Sequence, residues 1–323
     1  MYFPVSGVDV SPLWPPLVAF FISFFTSMGG ISGAFLLLPF QVSFLHFTGP
    51  GVSPTNLIFN IVAIPGGVYR YLREGRMAWP LTWVVIIGTL PGVFIGVILR
   101  IEYLPDPRPF KFFVGCVLLH IGFRMVYDLS GRGKKIQEED NKRLEERFSR
   151  HVKDVQKRKR AKLVAGLPPE AVVKTLELRW NRIKYEFFGQ TFSFNTPGVL
   201  ALSLIVGIVG GTYGIGGGAI IAPFLVAIFG LPIYTVAGAV LMGTFLTSIA
   251  GVIFYTAMTP IYAHTGLQIA PDWLLGLLFG LGGFGGTYCG ARFQKFVPAV
   301  YIKRMLCAVI LVLSLRYIWQ YFT

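Results

Sequence analysis

Gly214, Gly216 and Ala219 lie in the stretch GGTYGIGGGAIIAPF and have the spacing G-x-G-x-x-A. In a soluble βαβ unit that spacing cradles a dinucleotide, with an acidic residue about 20 positions further on. Here no Asp or Glu follows Gly218 until Asp272, and no G-K-[ST] follows either. The nucleotide reading therefore fails. A glycine cluster has a second use inside a membrane. Backbone at membrane depth leaves the helix only where it lines a cavity or is buried in protein. A helix that restarts there directs unpaired N–H groups and its positive dipole end at the gap. Such an end binds an anion without any charged side chain, and glycine lets the ligand approach the backbone.

The first half of the chain has a similar break, Gly29-Gly30-Ile31-Ser32-Gly33. The candidate substrate-binding residues are therefore Gly30, Ser32 and Gly33 in one break, and Thr212, Gly214, Gly216, Gly217 and Gly218 at the other. Asn56 and Asn60, one helical turn apart, and Thr244, Thr247 and Ser248 in the matching region of the second half add uncharged polar groups. The plainer reading of these side chains is hydrogen bonding between helices, with Thr55 and Asn56 capping a helix after Pro54. Gly92 with Gly96, and Gly286 with Gly290, have the small-xxx-small spacing of tight helix packing and are assigned to it.

The elements that must position these residues follow from composition. Of 323 residues, 54% are hydrophobic and 14% charged, against about 25% charged in soluble domains. Seventeen of the 29 Lys and Arg and nine of the 15 Asp and Glu fall between Ser130 and Gln190. The rest of the chain has too few charges for a water-facing surface. Its apolar runs, at about 14–46, 55–72, 79–100, 109–127, 197–230, 235–258, 272–292 and 299–321, have the length of membrane segments. The formal net charge of +14 fits basic cytoplasmic loops rather than nucleic acid.

The two sets of four segments match each other. GISGAFLLLPF (Gly30 to Phe40) aligns with GIGGGAIIAPF (Gly214 to Phe224). Phe110 to Val126 aligns with Ile302 to Ile318, placing Lys111 on Lys303 and Arg124 on Arg316. The first segment of each half exceeds one span of about 20 residues. It is either a long kinked helix or a re-entrant hairpin. As single spans they would put Arg292, Lys295, Lys303 and Arg304 outside, against the positive-inside rule. Hairpins put these inside, together with Arg70, Arg73 and Arg76, and leave only Arg100, Arg108 and Lys111 outside, partly offset by Glu102 and Asp106.

The expected fold is thus an all-α polytopic membrane protein. It has two inverted repeats, each a glycine-broken, re-entrant first segment plus three transmembrane helices. The expected division is 1–128 for the first membrane repeat, 129–196 for a charged helical cytoplasmic insert, and 197–323 for the second repeat. Within the insert, Leu144, Phe148, Val152 and Val155 read as one amphipathic helix, and Val172, Leu176, Trp180, Ile183 and Phe187 as another. Lys157 to Arg160 between them would suit a lipid-binding or regulatory module, or a solvated connector. The expected location is the plasma (inner) membrane, with the insert cytoplasmic and both termini outside. No basic region precedes the first apolar run, so no cleaved signal peptide is expected.

Little other chemistry is written in the chain. Cys116, Cys289 and Cys307 lie apart with no metal-binding or disulfide spacing. His120 is isolated within its segment, and no paired carboxylates offer a proton relay. No cofactor, metal or enzymatic activity is expected. The G-I-[SG]-G-[AG]…P-F motif in each half, the polar helix after it and the two four-segment halves resemble the TauE/SafE family of sulfite exporters. That resemblance implies transport of sulfite, organosulfonates or related sulfur anions, with the lipid bilayer as surroundings. It leaves open the direction of transport, protons as coupling ion and a homodimeric state. The other readings are an anion channel, a membrane sensor whose output is the insert, and an enzyme or sulfur carrier using Cys289 or Cys307.

Overall fold

The computed structural model describes residues 1–28, 32–73, 77–129, 173–187, 189–218, 220–293 and 299–323. The first half contains α1 (Trp14–Met28), α2 (Ala34–Ser43), α3 (Val52–Ala63), α4 (Pro65–Arg73), α5 (Trp79–Ile98) and α6 (Pro107–Leu129). The second contains α7 (Thr196–Tyr213), α8 (Ile221–Ala227), α9 (Ile233–Met258), α10 (Trp273–Phe293) and α11 (Ala299–Phe322). Among the described residues five stretches, within α5 through its π-helical last turn, α6, α7, α9 and α11, are long and apolar enough to cross a membrane. The chain is a mostly helical multi-pass membrane protein, as its composition requires.

The halves exchange partners. The first helix of each packs along the third full helix of the other, α1 on α10 and α7 on α5; α3 meets α9, and α6 meets α11. Glycines make the closest of these contacts. A Cβ at Gly92 would lie 2.9 Å from the Gly207 Cα, one at Gly96 2.7 Å from the Thr212 N, and one at Gly286 2.9 Å from the Phe20 Cα. The packing role expected of Gly92, Gly96, Gly286 and Gly290 is what these positions serve.

The same contacts fix helix directions. Pro16 and Phe20 lie against Gly282 and Gly286, and Thr55 and Val62 against Gly276 and Gly280. So α1 and α3 both run parallel to α10, and α2 must double back between them. Likewise Leu200, Leu204 and Ile208 lie against Gly88, Gly92 and Gly96, and Val85 and Val93 against Gly243 and Gly251. So α7 and α9 both run parallel to α5, with α8 as the return. Corresponding helices of the two halves oppose each other: Leu57 meets Gly251, and Tyr317 and Ile310 meet Gly115 and Gly122 in that order.

The insert departs from expectation. Its 44 residues from 129 to 172 are, apart from Leu129, outside the described residues, and with them the stripe Leu144 to Val155 and the basic run. The second expected helix, Val172 to Phe187, is instead, from Lys174 on, part of an antiparallel sheet, β3 (Lys174–Leu178), β4 (Arg182–Phe187) and β5 (Gln190–Asn195), in the order β3-β4-β5. Along β4, Ile183, Tyr185 and Phe187 are buried and alternate with Arg182, Lys184 and Glu186. A buried residue at every second position is the strand period. Ile183 and Phe187, four apart, satisfy a helical stripe only because four is twice two. The buried face shares a core with Leu81 and Val85 of α5, Val199 of α7, Leu225 of α8 and Val236 of α9. At the N-terminus β1 (Tyr2–Phe3) and β2 (Val8–Asp9) form a small hairpin whose Phe3 and Val8 pack with the α2 core.

Candidate functional site

Asn56 occupies the junction of the two broken segments. Thr55, its neighbour, ties the start of α3: its Oγ1 donates to the Gly51 carbonyl at 2.8 Å and accepts from the Asp272 N–H at 2.9 Å. Asn56 caps nothing and reaches across the core. Its Nδ2 donates to the Ala34 carbonyl and to the Gly214 carbonyl, both at 2.9 Å. One amide group therefore holds the end of each break. Its Oδ1 accepts from Gln41 Nε2 at 3.2 Å. One turn along, Asn60 Nδ2 donates to the Ile215 carbonyl at 2.9 Å and to Ser248 Oγ at 3.3 Å.

The second break is built for this closeness. Gly214 ends α7 with φ +81 and Gly216 has φ +79, left-handed values that favour glycine. A Cβ on Gly214 would stand 2.5 Å from the Ser53 carbonyl oxygen, and one on Gly217 2.7 Å from the Thr89 Cβ. Gly216 is packed on Ser248 and Thr244, and Gly218 on Thr244 and the Val240 carbonyl. The Gly217 N–H donates to Thr247 Oγ1 at 3.1 Å. The free amides expected of this break are thus partly engaged by the polar helix that follows it. The helix after the break restarts only at Ile221.

The first break is described from Ser32 onward, and Gly30 lies outside the described residues. Ser32 Oγ accepts from the Ala34 N–H at 3.3 Å. Gly33 precedes α2 and abuts Ser23 of α1 and Phe59 of α3.

Not every predicted residue faces the junction. Thr212 turns its hydroxyl to the Gly96 and Ile208 carbonyls, a packing role between α5 and α7. Thr244 Oγ1 donates to Val240 within its own helix while lying beside Gly218. Of the other described residues, Gly33, Asn56, Asn60, Gly214, Gly216, Gly217, Gly218, Thr247 and Ser248 are buried, and Ser32 is half-buried. Three buried polar atoms in this region have no hydrogen-bond partner among the described residues: Ser23 Oγ, Gln41 Oε1 and Asn60 Oδ1. Buried polar groups in native folds are nearly always paired.

Residues 16–317 match the family described as Sulfite exporter TauE/SafE. The chain belongs to that family. Searches of curated proteins and of solved structures returned no match. TauE/SafE proteins are membrane transporters of the sulfite exporter type, a class that moves small anions. In this TauE/SafE protein the junction also uses residues that the sequence did not single out. Gln41 is fully buried on α2 and orients Asn56. Ser53 Oγ donates to the Thr212 carbonyl at 3.1 Å, and Tyr213 OH to the Phe35 carbonyl at 2.7 Å, so each hairpin holds the other. Gln41 was visible as the one amide in an apolar run; Ser53 and Tyr213 have no sequence signal, because their partners are backbone carbonyls far away in the chain.

Proposed function

We propose that this protein carries small sulfur oxyanions, such as sulfite or organosulfonates, across the plasma membrane by alternating access. Two inverted repeats each contribute a re-entrant hairpin, and the anion binds between the hairpin tips near the midplane. The observation that carries this reading is the single Asn56 amide donating to both breaks. In the closed state Asn56 and Asn60 give their N–H groups to carbonyls of Ala34, Gly214 and Ile215. An entering anion offers stronger, charged acceptor oxygens for the same donors. Those donors then turn from the hairpins to the substrate, which loosens one hairpin from the other. The α2 end at Gly33 and the Gly217 and Thr247 pair supply further donors at the tips.

Burial of the converging residues supports a carrier over an open channel, since a channel needs a continuous water path. The charge distribution supports an orientation with the insert inside and both termini outside. The experiment is sulfite flux in liposomes containing the purified protein, with and without a proton gradient, against protein-free liposomes. Saturable flux above the control is expected, and a response to the gradient identifies protons as coupling ion. Binding of sulfite with no net flux would favour a sensor and overturn the carrier.

A further inference from the structure

Arg100 is a buried cation that the junction does not account for. It lies in the wide π-helical turn Leu99–Tyr103 at the end of α5 and is 0% exposed. Two acids stand close in sequence, yet both face away: Glu102 and Asp106 are exposed, and Glu102 accepts from Tyr262 OH. Among the described residues no carboxylate pairs with Arg100. Its guanidinium donates instead to two backbone carbonyls, Leu104 and, at 3.1 Å, Thr48, and stands 3.7 Å from the Phe110 ring centroid. Its Nε has no hydrogen-bond partner among the described residues. Taking a charge out of water without a counter-charge is costly. Carbonyl bonds and a ring face offset part of that cost and leave the net charge uncompensated.

The position of this charge gives it a use. Its neighbour Ile101 shares a core with Val97 and Tyr255. Tyr255 OH donates to the Gly211 carbonyl at 3.0 Å, three residues before Gly214, and Ser53, which bonds Thr212, packs on Gly214. Thr48 belongs to the connection that brings the first hairpin back to α3, which is tied to Gln268 through the Gly51 N–H at 2.7 Å. Arg100 therefore stands between the second break and one end of the fold, the end closed by the α2–α3 and α9–α10 connections.

We propose that Arg100 is a second anion-binding station, the fixed positive charge that draws the sulfur oxyanion from that end of the molecule toward the two hairpin tips. The inference deepens the carrier reading and rests on it. A guanidinium suits a trigonal or tetrahedral oxyanion because its planar fork presents paired donors, which an ammonium does not. Sulfite is held at Arg100 while the connections open, then passed inward past Tyr255.

The test uses purified protein in two assays, sulfite flux in liposomes and the shift of melting temperature on adding sulfite. In Arg100→Gln the KM for sulfite is expected to rise at least about tenfold, the size of effect that removal of one charged donor produces, and the sulfite-induced shift to vanish. Arg100→Lys keeps the charge without the fork and is expected to give a smaller rise. A purely structural Arg100 would instead lower the melting temperature in both variants and leave KM and the sulfite-induced shift as in the parent, which would overturn the proposal. If Arg100→Gln does not fold, an unchanged KM in Arg100→Lys overturns it. Absence of flux in the parent protein is a failure of the carrier reading, and the melting shift then decides Arg100 separately: a shift lost in the variants supports the station, and a shift retained, or none in the parent, refutes it.

Discussion

At the scale of the residue, the junction is a set of neutral donors held by backbone carbonyls. Thr247 and Ser248 are adjacent but unequal in this. Thr247 Oγ1 is the acceptor of the Gly217 N–H, whereas Ser248 Oγ shares the Asn60 amide with the Ile215 carbonyl. Thr247→Val keeps the shape and strands a buried N–H, which costs about 1–3 kcal/mol. Ser248→Ala leaves Asn60 with its stronger bond and is expected to cost well under half as much. Thermal melting of the two variants checks this; equal losses would show that Gly217 is satisfied some other way. Gly217→Leu is a poorer probe of anion binding, because its side chain would collide with Thr89 whatever the ligand. Asn56, Asn60, Thr247 and Ser248 stood out in the sequence because polar side chains in apolar segments have few uses. The charge count set Arg100 among the outer-side charges, and the structure adds that its side chain is buried at the end of α5. Nothing in one sequence says that the guanidinium turns inward while Glu102 stays out.

At the scale of the element, the breaks and the close-packed glycines belong to one design, since the hairpins meet only if their flanking helices approach closely. Gly285 and Gly286 test this as a pair. A Cβ on Gly285 would make ordinary contact at 3.5 Å with the Phe20 ring, while one on Gly286 would strike the Phe20 backbone. Gly286→Ala should separate α1 from α10 at a cost of about 1–3 kcal/mol, and Gly285→Ala should be nearly neutral; melting curves that do not distinguish them would refute the packing assignment. The sheet braces the second hairpin from the insert side. Tyr185 OH bonds Thr235 Oγ1 at 2.8 Å at the start of α9, and Phe187 is fully buried. Burial in this contact pushes the Tyr185 hydroxyl pKa well above its usual value. Tyr185→Phe is expected to lower stability by about 1 kcal/mol and Phe187→Ala by about 3–5 kcal/mol, measured by melting of the purified protein. The helix breaks were readable from clustered glycine, but the sheet was not. A four-residue spacing fits both a helix face and alternate turns of a strand pleat, and the decisive burial comes from α5, α7 and α9, far away in sequence.

At the scale of the whole molecule, matched motifs gave the expectation of an internal repeat, but the packing of α1 on α10 and of α7 on α5 was not legible, because α1 and α10 share no motif that marks them as partners. The proposed orientation makes a direct prediction. In a variant lacking the native cysteines, a cysteine replacing Trp180, 82% exposed on the sheet side, should react with a membrane-impermeant maleimide only from the cytoplasm. A cysteine replacing Tyr2, 62% exposed, should react only from outside. Labelling of both from one side would contradict the odd number of full crossings per half. The central claim is that an anion passes where Asn56 joins the two hairpins. The most direct measurement is sulfite flux in liposomes by the parent protein and by Asn56→Asp, which keeps the shape, removes the bridging N–H donors and adds a like charge. The account predicts saturable flux in the parent and at least about a hundredfold less in Asn56→Asp, with Asn56→Ser, which restores a neutral donor, recovering part of it. Equal flux in the parent and Asn56→Asp would contradict it.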